Sequence, residues 1–258
     1  MRSIKSLERG LEILETIAVA PRGIRVKDIA EQIKDPISNI TLFLNSLILS
    51  GFVNKDETTG KYFISQKISD IAENINKAQN SLLKNCALEV MEELRDEFNE
   101  NVLISVMRGH DVNFIYKLQS RRSIQIHENS DVYYPPHVTA AGKAILAFLP
   151  EDLREHYLED GLYHRFTEKS LVNPKMLREE LKNVKQNGFA INRGEFENEI
   201  MAVAAPVMME AKVIGSLVVQ FPNFRYSESS LSEFGIRIVE SAKIIEENIC
   251  STIADYST

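Results

Sequence analysis

Two neighbouring segments near the start of the chain carry apolar residues at helical spacing. Residues 26–33 place one apolar stripe over about two turns, and Lys34-Asp35-Pro36 interrupts it. Residues 37–50 repeat the pattern with a polar opposite face, and Gly51 ends it as a left-handed cap would. Two short helices joined by a tight turn are typical of a helix-turn-helix, although an ordinary helical hairpin would share the spacing.

The segments on either side extend this pattern into a larger unit. Residues 52–55 and 61–64 have the composition of short strands, and a polar segment ending in Gly60 joins them as a turn. A leading amphipathic helix is predicted from apolar residues between Leu7 and Ile17. The order helix, helix-turn-helix, hairpin predicts a winged helix-turn-helix domain over residues 4–66.

Residues 67–84 are predicted to form a linker helix. The apolar residues of this segment are spaced by three and four, so they share one face of a helix. That face must be buried against something. A partner's equivalent helix and the chain's own domain are both open possibilities. The stripe consists of Ile68, Ile71, Ile75, Ala78 and Leu82.

The rest of the chain alternates strand and helix patterns and predicts an α+β domain over residues 81–253. One antiparallel sheet covered by helices, as in GAF- and PAS-like sensors, fits this order. Residues 139–149 read as a helix of small side chains, which permits close approach of a neighbouring backbone or of a ligand. Strands are predicted at 102–107, 112–116, 123–127, 189–192, 201–209 and 213–221, and helices at 82–98, 150–158, 174–187 and 229–253.

The charge distribution shows where the acidic residues lie. The net charge is −7, but residues 1–80 carry eleven basic and ten acidic residues, so the excess acid lies outside the winged helix. A net of +1 is a weak electrostatic attraction for DNA, and we expect a dimer to be required. The absence of a signal-peptide core and of an apolar run of membrane-spanning length predicts a cytoplasmic protein with no membrane partner.

The motifs of catalysis and of metal or cofactor binding are not evident. Gly142-Lys143-Ala144 lacks the first glycine and the final Ser/Thr of a phosphate-binding loop. Glu195, Glu197 and Glu199 are expected to form a solvated acidic loop. Two cysteines are too few for a zinc cluster, and the five histidines lack metalloprotease spacing, so we expect no enzyme, cofactor or metal. Metal binding by His137, His156 and His164 is the alternative to that last expectation.

Three ordered motifs identify a resemblance to the IclR-type transcription regulators. Residues 6–14 (SLERGLEIL) resemble the family's opening helix, and residues 137–147 (HVTAAGKAILA) resemble its Gly-Lys-Ala helix. Residues 188–207 (GFAINRGEFENEIMAVAAPV) resemble its long signature ending in Ala-Ala-Pro-Val. The resemblance spans almost the whole chain. It implies a winged helix, a linker helix and an effector domain, acting on a double-stranded DNA operator as a homodimer or homotetramer.

The second helix of the helix-turn-helix departs from the family pattern. Leu42 stands where an arginine is common, and no Lys or Arg occurs between residues 37 and 50. Base reading would then depend on neutral side chains, with Leu42 packing or touching a thymine methyl and basic residues elsewhere contacting phosphates. The DNA-binding candidates are Arg25, Lys27, Ser38, Asn39, Thr41, Leu42, Asn45, Lys55 and Lys61.

The effector pocket implied by the resemblance departs further. Asn192, Ala202, Val218 and Gln220 stand where carboxylate-binding members carry an acidic residue, a cysteine and two serines, and Glu199 replaces a glycine. We therefore expect a small-molecule effector that is more apolar or more neutral than a small carboxylate. The effector-binding candidates are Ile126, Tyr134, Ala140, Ala141, Asn192, Ala202, Val218 and Gln220.

These observations predict a DNA-binding transcription regulator, with repression as the expected sign of control. An effector held between the sheet and the small-residue helix would change operator affinity through the linker helices. The alternatives are a ligand-independent or protein-sensing winged-helix adaptor and, with the least support, a small-molecule enzyme.

Overall fold

The computed structural model describes residues 4–127 and 134–255 and divides the chain between Gln79 and Asn80 into two compact units. The N-terminal unit contains α1 (Lys5–Ala18), β1 (Ile24–Arg25), α2 (Val26–Ile33), α3 (Ile37–Leu49), β2 (Val53–Lys55) and β3 (Lys61–Ile64). The next helix, α4 (Gln66–Phe98), continues into the C-terminal unit.

The N-terminal unit is a winged helix, as the apolar pattern predicts. Helices α1, α2 and α3 and the small sheet enclose one core, which contains Ile13, Ile29, Ile40 and Leu44. The sheet has the order β1-β3-β2 and is antiparallel, with Val53 opposite Ile64. The two-residue strand β1 was not predicted, because a segment this short carries no periodicity of its own.

The turn between α2 and α3 has a simple local cause. Lys34 adopts a left-handed conformation (φ 57°) that ends α2, and Pro36 precedes the first turn of α3. Proline lacks the amide hydrogen that a helix interior would need, so the chain restarts there as a new helix. Gly51 follows α3 with φ +78°, which confirms the predicted glycine cap.

Helix α4 corrects the prediction of two helices in this region. A linker helix at 67–84 and a second helix at 82–98 were expected, but a single 33-residue helix spans Gln66–Phe98. The sequence of this stretch contains neither proline nor glycine, so nothing interrupts its backbone hydrogen bonds. What differs between the two halves of α4 is the exposure of their side chains. Residues 71–79 are exposed, whereas Leu83, Ala87, Met91 and Leu94 are buried.

The C-terminal unit is a five-stranded antiparallel sheet with helices on both faces. Its elements are β4 (Asn101–Arg108), β5 (Asp111–Leu118), α5 (Ala140–Phe148), α6 (Glu151–Asp160), α7 (Pro174–Asn187), β6 (Ala190–Arg193), β7 (Ile200–Met209), β8 (Lys212–Pro222) and α8 (Leu231–Asp255). The strand order is β5-β4-β8-β7-β6. The second half of α4 and the last helix, α8, pack on one face of the sheet, and α5 and α7 pack on the other.

One predicted strand is wrong. Residues 123–127 alternate in sequence but form no strand. The side chains of Asn101 and Lys117 donate to the carbonyl of Ile126, at 2.8 and 3.1 Å, where a neighbouring strand would have supplied backbone groups. Within the described residues, no helix is long and apolar enough to cross a membrane.

Candidate functional site

Helix α3 carries the first set of candidate residues on its solvent-facing side. Its buried residues Ile40 and Leu44 fix the helix against the core, and Phe43, Leu47 and Ile48 pack beside them, so the opposite side of the helix faces outward. The exposed candidates are Ser38, Asn39, Leu42 and Asn45, and Leu42 leaves 66% of its surface in solvent. Because Leu42 is this exposed, it does not pack into the core of its own unit. Thr41, the remaining candidate on α3, is half-buried.

The polar side chains on α3 differ in how far they are already engaged. Asn39 donates from Nδ2 to Asp35 Oδ1 at 3.1 Å, and Thr41 donates its hydroxyl to the carbonyl of Ile37 at 2.7 Å. Ser38 and Asn45 have no side-chain partner among the described residues. These two are therefore the side chains most available for a new hydrogen bond.

The basic candidates surround α3 rather than lying on it. Arg25 in β1 and Lys27 in α2 are exposed. Lys55 is 2.9 Å from Glu57 Oε2, and that hydrogen bond raises the pKa of Lys55, so the Lys55 ammonium is already paired with an acidic neighbour on the wing. Lys61 donates to the carbonyl of Arg22 at 3.0 Å.

The second candidate site is a cavity of about 270 Å³ in the C-terminal unit. It lies between the sheet and the first turn of α5. Seven of the eight predicted effector residues line it: Tyr134, Ala140, Ala141, Asn192, Ala202, Val218 and Gln220.

Ile126 is the exception and corrects the predicted set. It does not line the cavity; its neighbour His127 does. The prediction assigned Ile126 to a strand face. No strand forms there, and hydrogen bonds to the Ile126 carbonyl hold the segment in an irregular conformation instead.

Sequence reasoning also missed seven lining residues. Leu103 comes from β4, which lies beside β8, and Phe114 comes from β5, the edge strand beside β4, an order that no local pattern reveals. Thr139 could have been found, because it is the N-cap of the predicted small-residue helix. The full set is Leu103, Phe114, His127, Thr139, Phe196, Glu197 and Ile200.

Aromatic rings form one wall of the cavity. Phe114 and Tyr134 meet edge-to-face with centroids 5.3 Å apart, and Tyr134 and Phe196 do so at 5.2 Å. Phe166 supports Phe196 from behind, at 4.8 Å. Aromatic pairs in this geometry are mutually stabilising, so the wall is held in place without a ligand.

The first turn of α5 contributes a second wall because its side chains are small. Thr139 Oγ1 accepts a hydrogen bond from the amide of Gly142 at 3.0 Å and caps the helix. A Cβ atom on Gly142 would lie 2.2 Å from the Cα of Pro136, so only glycine allows this approach. Ala140 and Ala141 then leave open space that larger residues would fill.

The side-chain amides of Asn192 and Gln220 at the cavity already make some hydrogen bonds within the protein. Asn192 Oδ1 accepts from the backbone amides of Gly194 and Glu195 at 2.8 and 2.9 Å, and its Nδ2 donates to the carbonyl of Val138 at 3.1 Å. Asn192 thus shapes the loop that carries Phe196 and Glu197. Gln220 Oε1 accepts only a long bond from Asn101, at 3.5 Å.

Behind this loop lies a buried lysine. Lys143 of α5 is fully buried, and its ammonium donates to Glu195 Oε1 at 2.8 Å, to Glu180 Oε1 at 3.1 Å and to the carbonyl of Ile191 at 2.6 Å. Burial raises the pKa of Glu195, and the charge of Lys143 opposes that shift. Glu195 is therefore not part of a solvated acidic loop, as the sequence had suggested; it ties the loop to α5.

The histidines give no metal centre. His137 is buried and donates from Nε2 to the carbonyl of His164 at 3.1 Å. Within residues 4–127 and 134–255, no group of three or more His, Cys, Asp or Glu side chains is arranged to hold a metal ion.

Comparisons with known proteins agree on the family of both units. A family model described as the IclR helix-turn-helix domain matches residues 6–57, and one described as the C-terminal domain of the bacterial transcriptional regulator IclR matches residues 76–247. The transcriptional repressor IclR of Escherichia coli is 25% identical over 93% of this chain and 88% of its own length.

Two solved structures share the fold over nearly the whole chain. The Thermotoga maritima IclR structure has a TM-score of 0.63 and 23% identity, covering 96% of this chain and 99% of its own. An IclR homologue from Microbacterium hydrocarbonoxydans, solved with 4-hydroxybenzoate, has a TM-score of 0.61 and 22% identity, covering 95% and 99%.

Proposed function

The chain belongs to the IclR family of transcription regulators, and on that premise we propose that it is an effector-controlled repressor. A DNA-binding helix-turn-helix and a C-terminal ligand-binding domain are shared by the family, whose named relatives here are regulators rather than enzymes. Repression is the sign of control named for the E. coli relative and for the Salmonella acetate operon repressor.

The observation that carries the proposal is the division of roles along one chain. The N-terminal unit presents Ser38, Asn39 and Asn45 on the exposed side of α3, and the C-terminal unit contains the cavity. Helix α4 runs unbroken from one unit into the other. We propose the functional division 4–66 for DNA binding, 67–84 for the linker segment of α4 and 81–253 for effector binding.

For the operator, we assign base reading to α3 and phosphate contacts to its surroundings. Ser38 and Asn45 are the strongest base-reading candidates because their side chains are exposed and unengaged among the described residues. Asn39 would have to leave Asp35 first. Arg25 and Lys27 are the strongest phosphate candidates, with Lys55 and Lys61 on the wing in support.

We propose that the active species is a homodimer or homotetramer in the cytoplasm, where the operator DNA lies. Two apolar stripes support self-association. Ile71 and Ile75 on α4 leave 41% and 52% of their surfaces in solvent, and Leu7 and Leu11 on α1 are exposed as well. Pairing two units would also double the weak positive charge available to one operator.

For the effector, we propose a molecule that is more apolar or more neutral than a small carboxylate. The cavity offers aromatic and aliphatic walls, and the cysteine and serines expected in carboxylate-binding members are replaced by Ala202, Val218 and Gln220. Binding would shift operator affinity through α4, with a coupling of about 1–3 kcal/mol. The 4-hydroxybenzoate complex of the Microbacterium homologue supports a ligand role for this family in general.

The test begins by selecting operator sequences from a random duplex library with the full-length protein. We expect one enriched motif with two-fold symmetry, because a homodimer presents two copies of α3. The double variant Asn39→Ala, Asn45→Ala should lose that enrichment while its mass by light scattering is unchanged. Recovery of the same motif by the double variant would refute base reading by α3.

An adaptor function is the second candidate. The outer face of α3 carries no basic residue, and Leu42 and Leu49 are exposed, which a protein partner would favour. Failure of the wild-type protein to enrich any sequence, with its oligomeric state intact, would favour this alternative.

A further inference from the structure

The charge of the cavity lining narrows the choice of effector. Among the described residues that line it, Glu197 is the only Asp or Glu, and there is no Lys or Arg. His127 and Tyr134 are the other titratable side chains in that described lining. An anionic ligand would meet a carboxylate and no cationic side chain that is always charged.

Glu197 has no competing partner of its own. Its side chain is exposed at the edge of the cavity and makes no hydrogen bond or ion pair with any described residue. The nearby Arg193 is already held by Glu228, with Nε to Oε1 at 2.6 Å. A carboxylate that is open to solvent and borders a binding cavity is available to pair with a cationic group on a ligand.

The neighbouring glutamates of the same loop show that this placement is specific. Glu195 is buried and pairs with Lys143, whereas Glu199 is exposed but does not line the cavity. Glu197 alone of the three combines exposure with a position at the cavity. The loop geometry that produces this arrangement is set by Asn192, which holds the amides of Gly194 and Glu195.

The other described residues of the lining suit an apolar body. Phe114, Tyr134 and Phe196 form a continuous aromatic surface. Ala202 and Val218 extend it with aliphatic side chains. Aromatic faces also attract organic cations, so the ring wall and the carboxylate favour the same class of ligand.

We infer that the effector is an organic cation, a protonated amine on an apolar body the size of a ring or short chain, with its positive charge beside Glu197. The inference rests on the proposed function, since it names the ligand class of the effector cavity. It differs from the expectation of an apolar or neutral effector in one respect: the body is apolar, but the ligand carries one positive charge.

The experiment compares three probes that share one aromatic body. Phenethylamine is cationic, phenethyl alcohol is neutral and phenylacetate is anionic at neutral pH. Isothermal titration calorimetry with the full chain would measure each dissociation constant for the wild type, Glu197→Gln and Glu199→Gln. Because both glutamates are exposed in one loop, Glu199→Gln is a matched control for the loss of a charge.

We expect phenethylamine to bind the wild type and Glu199→Gln about tenfold more tightly than phenylacetate does, in line with one partly screened charge pair. In Glu197→Gln the preference should disappear, with phenethyl alcohol affinity unchanged. Raising the salt concentration should reduce the wild-type preference, since the pair is solvent-exposed.

Three results would overturn the inference. Tighter binding of phenylacetate than of phenethylamine would indicate an anion site. Equal affinities in all three proteins would show that Glu197 does not sense the ligand. Failure of all three aromatic probes to bind would reject the ligand class. None of these results bears on operator selection, which tests the regulator function separately.

Discussion

Helices α3 and α5 are the two helices proposed to meet a ligand, and they are built in opposite ways. Helix α3 buries only Ile40 and Leu44, so most of its side chains face solvent. Every residue of α5 from Ala140 to Ala147 is buried. A substitution on α3 should therefore change what is recognised, whereas a substitution on α5 should first change whether the C-terminal unit is stable.

The largest expected effect is on α5, from Lys143→Met. This change leaves the buried Glu195 carboxylate and the Ile191 carbonyl without their ammonium partner. Breaking a buried ion pair typically costs about 3–5 kcal/mol, and we expect that loss in the free energy of unfolding measured with denaturant.

A double variant decides whether an uncompensated charge is the cause. Lys143→Met combined with Glu195→Gln removes both charges and should recover part of the stability. If the double variant is as unstable as the sum of the two single variants, packing of the lysine stem would account for the loss instead.

The next effect sharpens the contrast between a close-packed helix and an open one. Gly142→Ala forces a Cβ against Pro136 and should destabilise the protein by about 1–3 kcal/mol. Gly10→Ala in α1 is the matched control, because its Cβ would find only Phe43 Cδ1, at 4.0 Å. Alanine is the better helix former there, so a gain of roughly 0.5–1 kcal/mol is expected. Equal shifts of the melting temperature in Gly142→Ala and Gly10→Ala would contradict the close approach of Gly142 to Pro136.

On α3, Asn45→Ala should act on recognition alone. We expect specific operator binding to weaken by about 1–3 kcal/mol, roughly fivefold to 150-fold, if Asn45 contacts a base edge. The change in unfolding free energy should stay within about 0.5 kcal/mol, because the side chain is exposed. Fluorescence anisotropy with operator and scrambled duplexes would measure the first quantity.

The control for Asn45→Ala is Ser46→Ala. The hydroxyl of Ser46 donates to the carbonyl of Leu42 within the helix at 3.1 Å, so it is already engaged. Operator affinity should barely change. Equal weakening of operator and scrambled duplexes by Asn45→Ala would point to a phosphate contact in place of base reading.

The smallest effect is a pH dependence confined to the C-terminal unit, which contains all five histidines. Burial lowers the pKa of His137 below its ordinary value of 6.5. The unfolded chain then binds the proton more readily, so this contribution to stability is present above that value and is lost as the pH falls below it. Unfolding free energies at about pH 7.5 and pH 5.5 should show a decline on acidification.

The decline should be smaller in His137→Gln and unchanged in His110→Gln, whose histidine is exposed. An identical pH slope in all three proteins would assign the dependence to other groups.

Sequence reasoning was strongest where one element determines its own structure. The winged helix follows from residues 26–66 because apolar spacing, Pro36 and Gly51 all act locally. The small-residue helix was likewise predicted to within a residue or two of α5. Seven of the eight predicted cavity residues were found because the family resemblance supplied positions that no periodicity could.

The failures have a common physical origin in long-range contacts. Residues 123–127 have strand alternation but form no strand, and side chains from Asn101 and Lys117, which are distant in sequence or on another strand, hold the Ile126 carbonyl instead. Helix α4 was divided in two because its buried face changes character at Leu83, although its backbone continues.

The sequence by itself therefore determined the helices, the turns, the winged helix and the absence of basic residues on α3, because each depends on neighbours within a few positions. Only the tertiary structure decided that Glu195 is buried against Lys143, that Asn192 holds a loop, and that Glu197 alone of three similar glutamates borders the cavity. Those outcomes depend on residues about 50 positions apart in sequence that the sheet and α5 bring together. The strength of hydrogen bonding and the cost of desolvation depend on how close these groups are in space, which local sequence patterns do not contain.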